Sequence, residues 1–325
     1  MDSAKIAKRA GLRYSSDQEP GLNLKKISLK DSTRIKSLRI PPAWKELWVC
    51  KDAKGHIQAT GEDERGRKQY IYHPKWKEIR AETKFHKLLT LAEVLPKIRR
   101  EISKDISKKE IDKPKVVATI IELAEKTLIR IGNEEYVREN HSYGLTTIRI
   151  NQVKVSGSEI HFHFKGKSGV LHDVDFFDER LAKVVLSCEE IHGQELFCFR
   201  DASGKVHGVH SGDVNEYLKI TSGVEISVKD FRTWYGTVKA LAHLLKFEPC
   251  ETLAERKKNV VKTVEVVSAH LRNTKAVCRK SYIDPNVIEC YLSGGELTFP
   301  CKCGPKFKDL HVDEHALVHF LKRDN

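Results

Sequence analysis

The chain of 325 residues has no apolar run long enough to cross a bilayer as a helix. Its opening stretch, MDSAKIAKRAGLRY, lacks the apolar core of an export signal. Neither membrane insertion nor secretion is expected. The eight cysteines (Cys50, Cys188, Cys198, Cys250, Cys278, Cys290, Cys301 and Cys303) lack the density and spacing of a disulfide framework, so reduced thiols in a cytoplasmic setting are expected. Cys301 and Cys303 form a C-x-C ahead of His311, His315 and His319, but the paired C-x-x-C of structural zinc is missing. No group of three carboxylates or histidines stands at metal-ligand spacing. The nearest approach to a phosphate loop, Gly61-x-x-x-x-Gly66-Arg67-Lys68, has arginine in place of lysine and lysine in place of Ser or Thr. No metal and no nucleotide cofactor are expected. Internal repeats and low-complexity tracts are also missing.

What is present is positive charge. Lys and Arg number 58 against 45 Asp and Glu, a net +13 spread along the chain, which suits a polyanionic partner. A 40% apolar content supplies a real core, and the length suits two domains. Residues 36–77 read as short strands with turns: LWVCKD, then HIQATG, the turn DERGRK, then QYIYH. From Pro74 the apolar spacing becomes helical, in TKFHKLLTLAEVLPKIRREI and KPKVVATIIELAEKTLIRIG, with Pro114 in a first turn and Gly132 as the stop. NQVKVSG, EIHFHFKGK and VLHDVDF read as three strands of a small sheet, and helices are expected from about Glu179 onward.

Several polar residues stand out against this pattern. In SVKDFRTWYGTVKALAHLLKF, Ser227 and Asp230 make a capping-box start, and Phe231, Tyr235, Val238, Ala242 and Leu245 fall on one face, read as core. Arg232, Gly236 and Lys239 fall on another, where the glycine would leave room for a ligand backbone. Arg130 follows a helix C-terminus, where a cation also answers the macrodipole. Lys167 tips a hairpin between glycines. The helix ERKKNVVKTVEVVSAHLRNT lines up Val260, Val264, Val267 and Leu271 as core and stops at Asn273 and Thr274. Tyr282, one residue past a basic pair and ahead of an Asp-Pro helix start, is either a packed aromatic or a nucleophile. Two arginines, a mobile lysine, a polar donor and a tyrosine suit phosphoryl transfer without a metal, with forked guanidinium groups neutralising the phosphorane oxygens.

These residues sit in stretches that resemble one family, the type IB DNA topoisomerases of the poxvirus and bacterial group. They are AGLRY, IPPAW, QATGEDERGRKQYIYHPKW, TLIRIGNEEYVREN, YGLTTIR, FKGKSG, KDFRTWYGT and NTKAVCRKSYI, in the family's order over most of the chain. The bacterial branch is the more similar, although the glycine-rich hairpin expected between DQEPGLNL and IPPAW is missing and the tail LTFPCKCGPKFKDL is unlike the family's.

The resemblance implies an α+β fold: a β-rich DNA-clamp domain over residues 1–77, and an α-helical catalytic domain with an embedded antiparallel sheet over residues 78–295. A tail over residues 296–325 would end in a last helix, VDEHALVHFLKR. The resemblance places the nucleophile at Tyr282, the phosphate clamps at Arg130 and Arg232, the general acid at Lys167 and a neutral donor at Asn273. It also implies DNA contacts from Arg67, Lys68, Gln69, Tyr70, Tyr72, Asn133 and Tyr136. The implied activity is relaxation of supercoiled duplex DNA through a 3′-phosphotyrosyl link, without ATP or metal, by a monomer associated with the nucleoid and closing as a clamp on DNA. A tyrosine recombinase would share the nucleophile and arginines, but Lys229 stands where its His-x-x-Arg motif needs histidine. A non-catalytic DNA-binding protein would also be basic, without needing all five positions filled.

Overall fold

A computed structural model describes residues 11–14, 29–64, 66–298 and 304–323. The chain divides into two compact units, residues 1–83 and 84–325. The first holds a four-stranded antiparallel sheet in sequential order: β1 (Gly11–Tyr14), β2 (Lys45–Cys50), β3 (Ile57–Glu62) and β4 (Lys68–Tyr72). A helix not anticipated from the sequence, α1 (Leu29–Ser37), packs Ile35 against Leu47, Val49 and Ala59 of the sheet. Its Arg34 donates to Gln58 at 2.8 Å and to the Cys50 carbonyl at 2.7 Å, satisfying groups the sheet leaves over. So short and polar a helix carries little periodic signal, which is why it was missed.

The second unit is built around α3 (Lys113–Thr127), which follows the long α2 (Pro74–Ile106). Asp112 caps α3 by accepting from the Lys115 amide at 2.8 Å, and Pro114 occupies the first turn, where no amide is needed. Val116, Val117, Ala118, Ile120, Ile121, Leu123 and Ala124 are all buried, so α3 is apolar on nearly every side and runs through the core. The helix stops earlier than expected. Its C-cap is Leu128 in the left-handed region (φ 55°), and Gly132 (φ 103°) lies in the loop beyond.

After α4 (Glu134–Asn140) comes the embedded antiparallel sheet of β5 (Val153–Ser156), β6 (Glu159–Lys165) and β7 (Leu171–Phe177). Helix α5 (Glu179–Glu189) follows, and then a hairpin the sequence reading lacked: β8 (Cys198–Arg200) and β9 (Val206–Gly208). Its strands are too short to show alternation. The remaining helices are α6 (Ser211–Ser222), α7 (Val228–Leu244), α8 (Leu253–Leu271), α9 (Lys275–Ser281), α10 (Pro285–Ser293) and α11 (Val312–Leu321). No described helix is long and apolar enough to cross a membrane. Cys301 and Cys303 lie outside the described residues; the described cysteines are free thiols.

The buried stripe of α7 differs from the one expected. Arg232, Trp234, Thr237, Leu241 and Leu244 are buried with Phe231 and Val238, while Leu245 is exposed and Tyr235 and Ala242 are half-buried. A helix enclosed on several sides defeats a one-face reading. The C-terminal α11 closes over α7: Glu314 accepts from Trp234 Nε1 at 3.0 Å and pairs with Arg99 of α2 at 2.7 Å. Arg99 also bridges to Glu125 of α3 at 2.7 Å, and the Tyr235 hydroxyl donates to the same Glu125 carboxylate at 2.5 Å.

Candidate active site

Two helices, α3 and α8, end side by side, and each leaves carbonyls without an intrahelical donor. Arginines fill the need. Arg232 of α7 donates through Nη1 to the Leu128 carbonyl and through Nη2 to the Leu271 carbonyl at 2.7 Å. Arg272, the left-handed C-cap of α8 (φ 50°), donates to the Thr127 carbonyl at 3.1 Å. The negative ends of two helix dipoles thus hold cations in place. Arg130, just past the α3 terminus, donates through Nη2 to Asn273 Oδ1 at 2.6 Å. Among the described residues, none of Arg130, Arg232 and Arg272 has a carboxylate partner. Burial, and then the Arg130 charge, draw the Arg232 guanidinium down to about 10; it remains protonated at neutral pH.

Arg232 is only 3% exposed, which differs from the helix-surface position read from the sequence. Two of its five N–H donors hold carbonyls, and Nε is buried without a hydrogen-bond partner. Gly236, one turn on, makes room for the nucleophile's own backbone rather than for a ligand. A Cβ there would stand 2.4 Å from the Tyr282 carbonyl oxygen. Thr237 Oγ1 also lies 3.3 Å from that oxygen and accepts the Asp284 amide at 3.2 Å, so α7 grips the chain on both sides of Ile283. Tyr282 ends α9 and is half-buried, its ring centroid 5.1 Å from the Arg232 guanidinium.

Asn273 completes the group. Arginine can only donate, so the Arg130 bond fixes the amide with Oδ1 towards Arg130; Nδ2 is buried and has no partner. Arg130 is itself positioned by close backbone approach: the Leu145 amide donates to its carbonyl at 2.9 Å, and a Cβ on Gly144 would meet that oxygen at 2.5 Å. Lys167 is exposed in a 3₁₀ turn at the tip of the β6–β7 hairpin, its Nζ 5.8 Å from the Tyr136 ring centroid. Behind the tip, His172 is buried. Burial, then the charges of Arg272, Arg130 and Arg232, pull it down to about 4, so it is neutral at pH 7.

The remaining sequence-derived positions divide. Asn133 caps α4, its Oδ1 accepting from the Glu135 amide at 2.9 Å, and Tyr136 stands exposed on the same short helix. In the first unit, strand alternation puts Lys68, Tyr70 and Tyr72 on one face of β4, the two tyrosine rings stacked at 6.1 Å. Gln69 falls on the other face, beside Ile71. Asp63 pairs with Arg67 at 2.6 Å and accepts from Gln69 at 2.9 Å. Arg67 and Gln69 are therefore held by a carboxylate in the turn, unlike Lys68, Tyr70 and Tyr72. The sequence reading also lacked Arg272 and His172; an arginine at a helix end, directly before Asn273, was the available signal for the first.

Residues 73–291, which carry all five candidate catalytic positions, match the family model for the catalytic core of eukaryotic DNA topoisomerase I. Over 281 residues the chain is 31% identical to DNA topoisomerase 1B of Acanthamoeba polyphaga mimivirus, covering 84% of each protein. The chain belongs to the type IB DNA topoisomerases. Residues 24–63 of the topoisomerase match the N-terminal domain of bacterial DNA topoisomerase IB. It is 24% identical over 248 residues to DNA topoisomerase 1B of Vaccinia virus (strain Copenhagen), covering 76% of this chain and 75% of the viral one. It is an enzyme, an isomerase that acts on DNA.

Proposed function

We propose that this topoisomerase relaxes supercoiled duplex DNA by transient cleavage of one strand, with Tyr282 as nucleophile. The observation that carries the reading is three arginines crowded together with no carboxylate partner among the described residues, one of them, Arg232, beside the Tyr282 ring, and the unpartnered Nδ2 of Asn273 next to Arg130. Such a crowd is short of an anion, and a phosphodiester supplies one. Tyr282 Oη attacks phosphorus and gives up its proton to water. The P–O5′ bond breaks, leaving a 3′-phosphotyrosyl link, and Lys167 gives a proton to the departing O5′. Arg130, the remaining donors of Arg232 and Asn273 Nδ2 stabilise the phosphorane oxygens. Free rotation of the 5′ end releases supercoils, and the 5′-hydroxyl then attacks the phosphotyrosine to reseal.

The ester conserves the bond's energy, so no ATP is used, and fixed cations take the place of a metal. Lys68, Tyr70 and Tyr136 are the exposed candidates for further DNA contacts, with Tyr72 half-buried beside Tyr70, and Arg67, Gln69 and Asn133 would use the donors that Asp63 and the α4 cap leave over. A monomer acting on chromosomal DNA in the cytoplasm fits this reading.

Plasmid relaxation in EDTA without nucleotide, followed by denaturant trapping of covalent adduct, tests it. Wild type is expected to relax the plasmid and to leave adduct, and Tyr282→Phe to do neither while still binding DNA, because binding comes from phosphate contacts. Adduct on the Tyr282→Phe protein, or relaxation that requires ATP, overturns the assignment.

A further inference from the structure

The outer face of the hairpin that carries Lys167 holds a set of groups with no part in strand cleavage. Cross-strand register sets His161 opposite Asp175 and His163 opposite Asp173, with the four side chains on the solvent side of β6 and β7. His161 Nδ1 lies 2.6 Å from Asp175 Oδ1, while its Nε2 lies 3.4 Å from Asp173 Oδ1; His163 Nδ1 lies 3.9 Å from Asp173 Oδ2. One ligand atom from each of His161, His163 and Asp173 falls within 4.8 Å of the others. We propose that His161 Nε2, His163 Nδ1 and the Asp173 carboxylate form a binding site for a divalent transition-metal ion, with Asp175 orienting His161.

The geometry supports an ion rather than two independent ion pairs. Ligands at ~2.1 Å from a tetrahedral ion stand about 3.4 Å apart, so His161 Nε2 and Asp173 Oδ1 are already at that length, while His163 Nδ1, 3.9 Å from the other Asp173 oxygen, has to close in. Asp175 accepts the Nδ1 proton of His161, which leaves the Nε2 lone pair for the metal. This is the carboxylate–histidine arrangement that steadies metal ligands. Two imidazoles and a carboxylate suit zinc, cobalt or nickel over calcium or magnesium, which prefer oxygen alone. Lys154 stands opposite His161 on β5, so the ligands gather on the β7 side. All three ligand side chains reach solvent. Metal spacing along the sequence could not reveal this set, because the ligands come from two strands and only their register joins them. Bound there, the ion would clip β6 to β7 below the turn that holds Lys167.

The test is a cobalt and zinc titration of untagged, chelator-stripped protein without DNA, so its outcome does not depend on the cleavage reading. One equivalent of Co²⁺ should bind with d–d absorption and no thiolate charge-transfer band, and Zn²⁺ should displace it. His163→Ala, and separately His161→Ala, should weaken binding more than tenfold, and Asp175→Asn by ~10–100-fold, as for other supporting carboxylates. Unchanged thermal melts of the metal-free variants would show that they fold. Zinc should also slow amide exchange in residues 159–177 of the wild type. Unaltered affinity in a His161→Ala/His163→Ala double variant overturns the site. So does a thiolate band in the cobalt spectrum, which would put the ion on cysteine.

Discussion

Asn273 can serve Arg130 and a phosphate at once because its amide keeps an acceptor and a donor on separate atoms. Asn273→Ala should slow cleavage by ~10²–10³, the worth of one preorganised donor. Asn273→Asp distinguishes the two duties: it keeps the acceptor for Arg130, removes the donor and sets a negative charge against the scissile phosphate. It should cleave no faster than the alanine variant; near-normal single-turnover cleavage by Asn273→Asp would reduce Asn273 to a support for Arg130, and by Asn273→Ala would remove both duties. Gly236 is the other residue on which geometry turns. Alanine there gains about 1 kcal/mol of helix propensity, but its Cβ would meet the Tyr282 carbonyl oxygen at 2.4 Å, and a backbone atom cannot swing aside. Displacing Tyr282 by about an ångström should cost on the order of 10²-fold in cleavage. Unaltered cleavage by Gly236→Ala would show that the contact places nothing.

Among the elements, α11 has a polar link to α7 at Glu314. Glu314 takes Trp234 Nε1 and the Arg99 guanidinium together, and it is 1% exposed. Glu314→Ala should destabilise the protein by ~3 kcal/mol, the low end for breaking a buried ion pair, because Glu125 still faces Arg99. Chemical denaturation measures this, and a loss below about 1 kcal/mol would show that α11 is held by Leu317, Val318 and Phe320 alone. The helix itself was readable from VDEHALVHFLKR, as were α3 with its proline in the first turn and the three strands of the embedded sheet, because each carries its own period. What could not be read was which face meets what. The core face expected of α7 leaves out Arg232 and Trp234, since α3, α8, α10 and α11 enclose that helix from several directions. Likewise Gln69 and Tyr70 look equivalent in QYIY until the strand turns them to opposite faces and Asp63 claims one of them. The five catalytic candidates were legible through family resemblance; Arg272 and His172 were not, because their roles arise only where helix ends and a hairpin converge.

For the molecule as a whole, acid is the condition that tests these buried groups. His172 is held at about 4 in the folded protein against 6.5 ordinarily, so the unfolded chain takes up a proton that the folded one refuses. The associated stability is complete above pH 6.5 and is lost as pH falls towards 4, by about 1.4 kcal/mol per unit. Burial would raise the Glu314 carboxyl, but the Arg99 bond and charge, with Trp234, together hold it below its ordinary 4.5. Its contribution is present above 4.5 and disappears at still lower pH. Denaturation midpoints between pH 7 and 4.5 should therefore fall in wild type and fall less in His172→Gln; parallel curves would refute the buried neutral histidine.

The position of α11 in the chain carries a consequence for how the enzyme is made. Translation completes α2, α3 and α7 long before the ribosome reaches Glu314. Through that interval Trp234 Nε1 lacks its acceptor and the helix bearing Arg232 and Gly236 lacks its cover. A chain synthesised only as far as Tyr282 thus carries all five candidate positions on a scaffold that Glu314 has not yet joined. The order of synthesis makes the docking of the last described helix, α11, the step that covers the helix bearing Arg232.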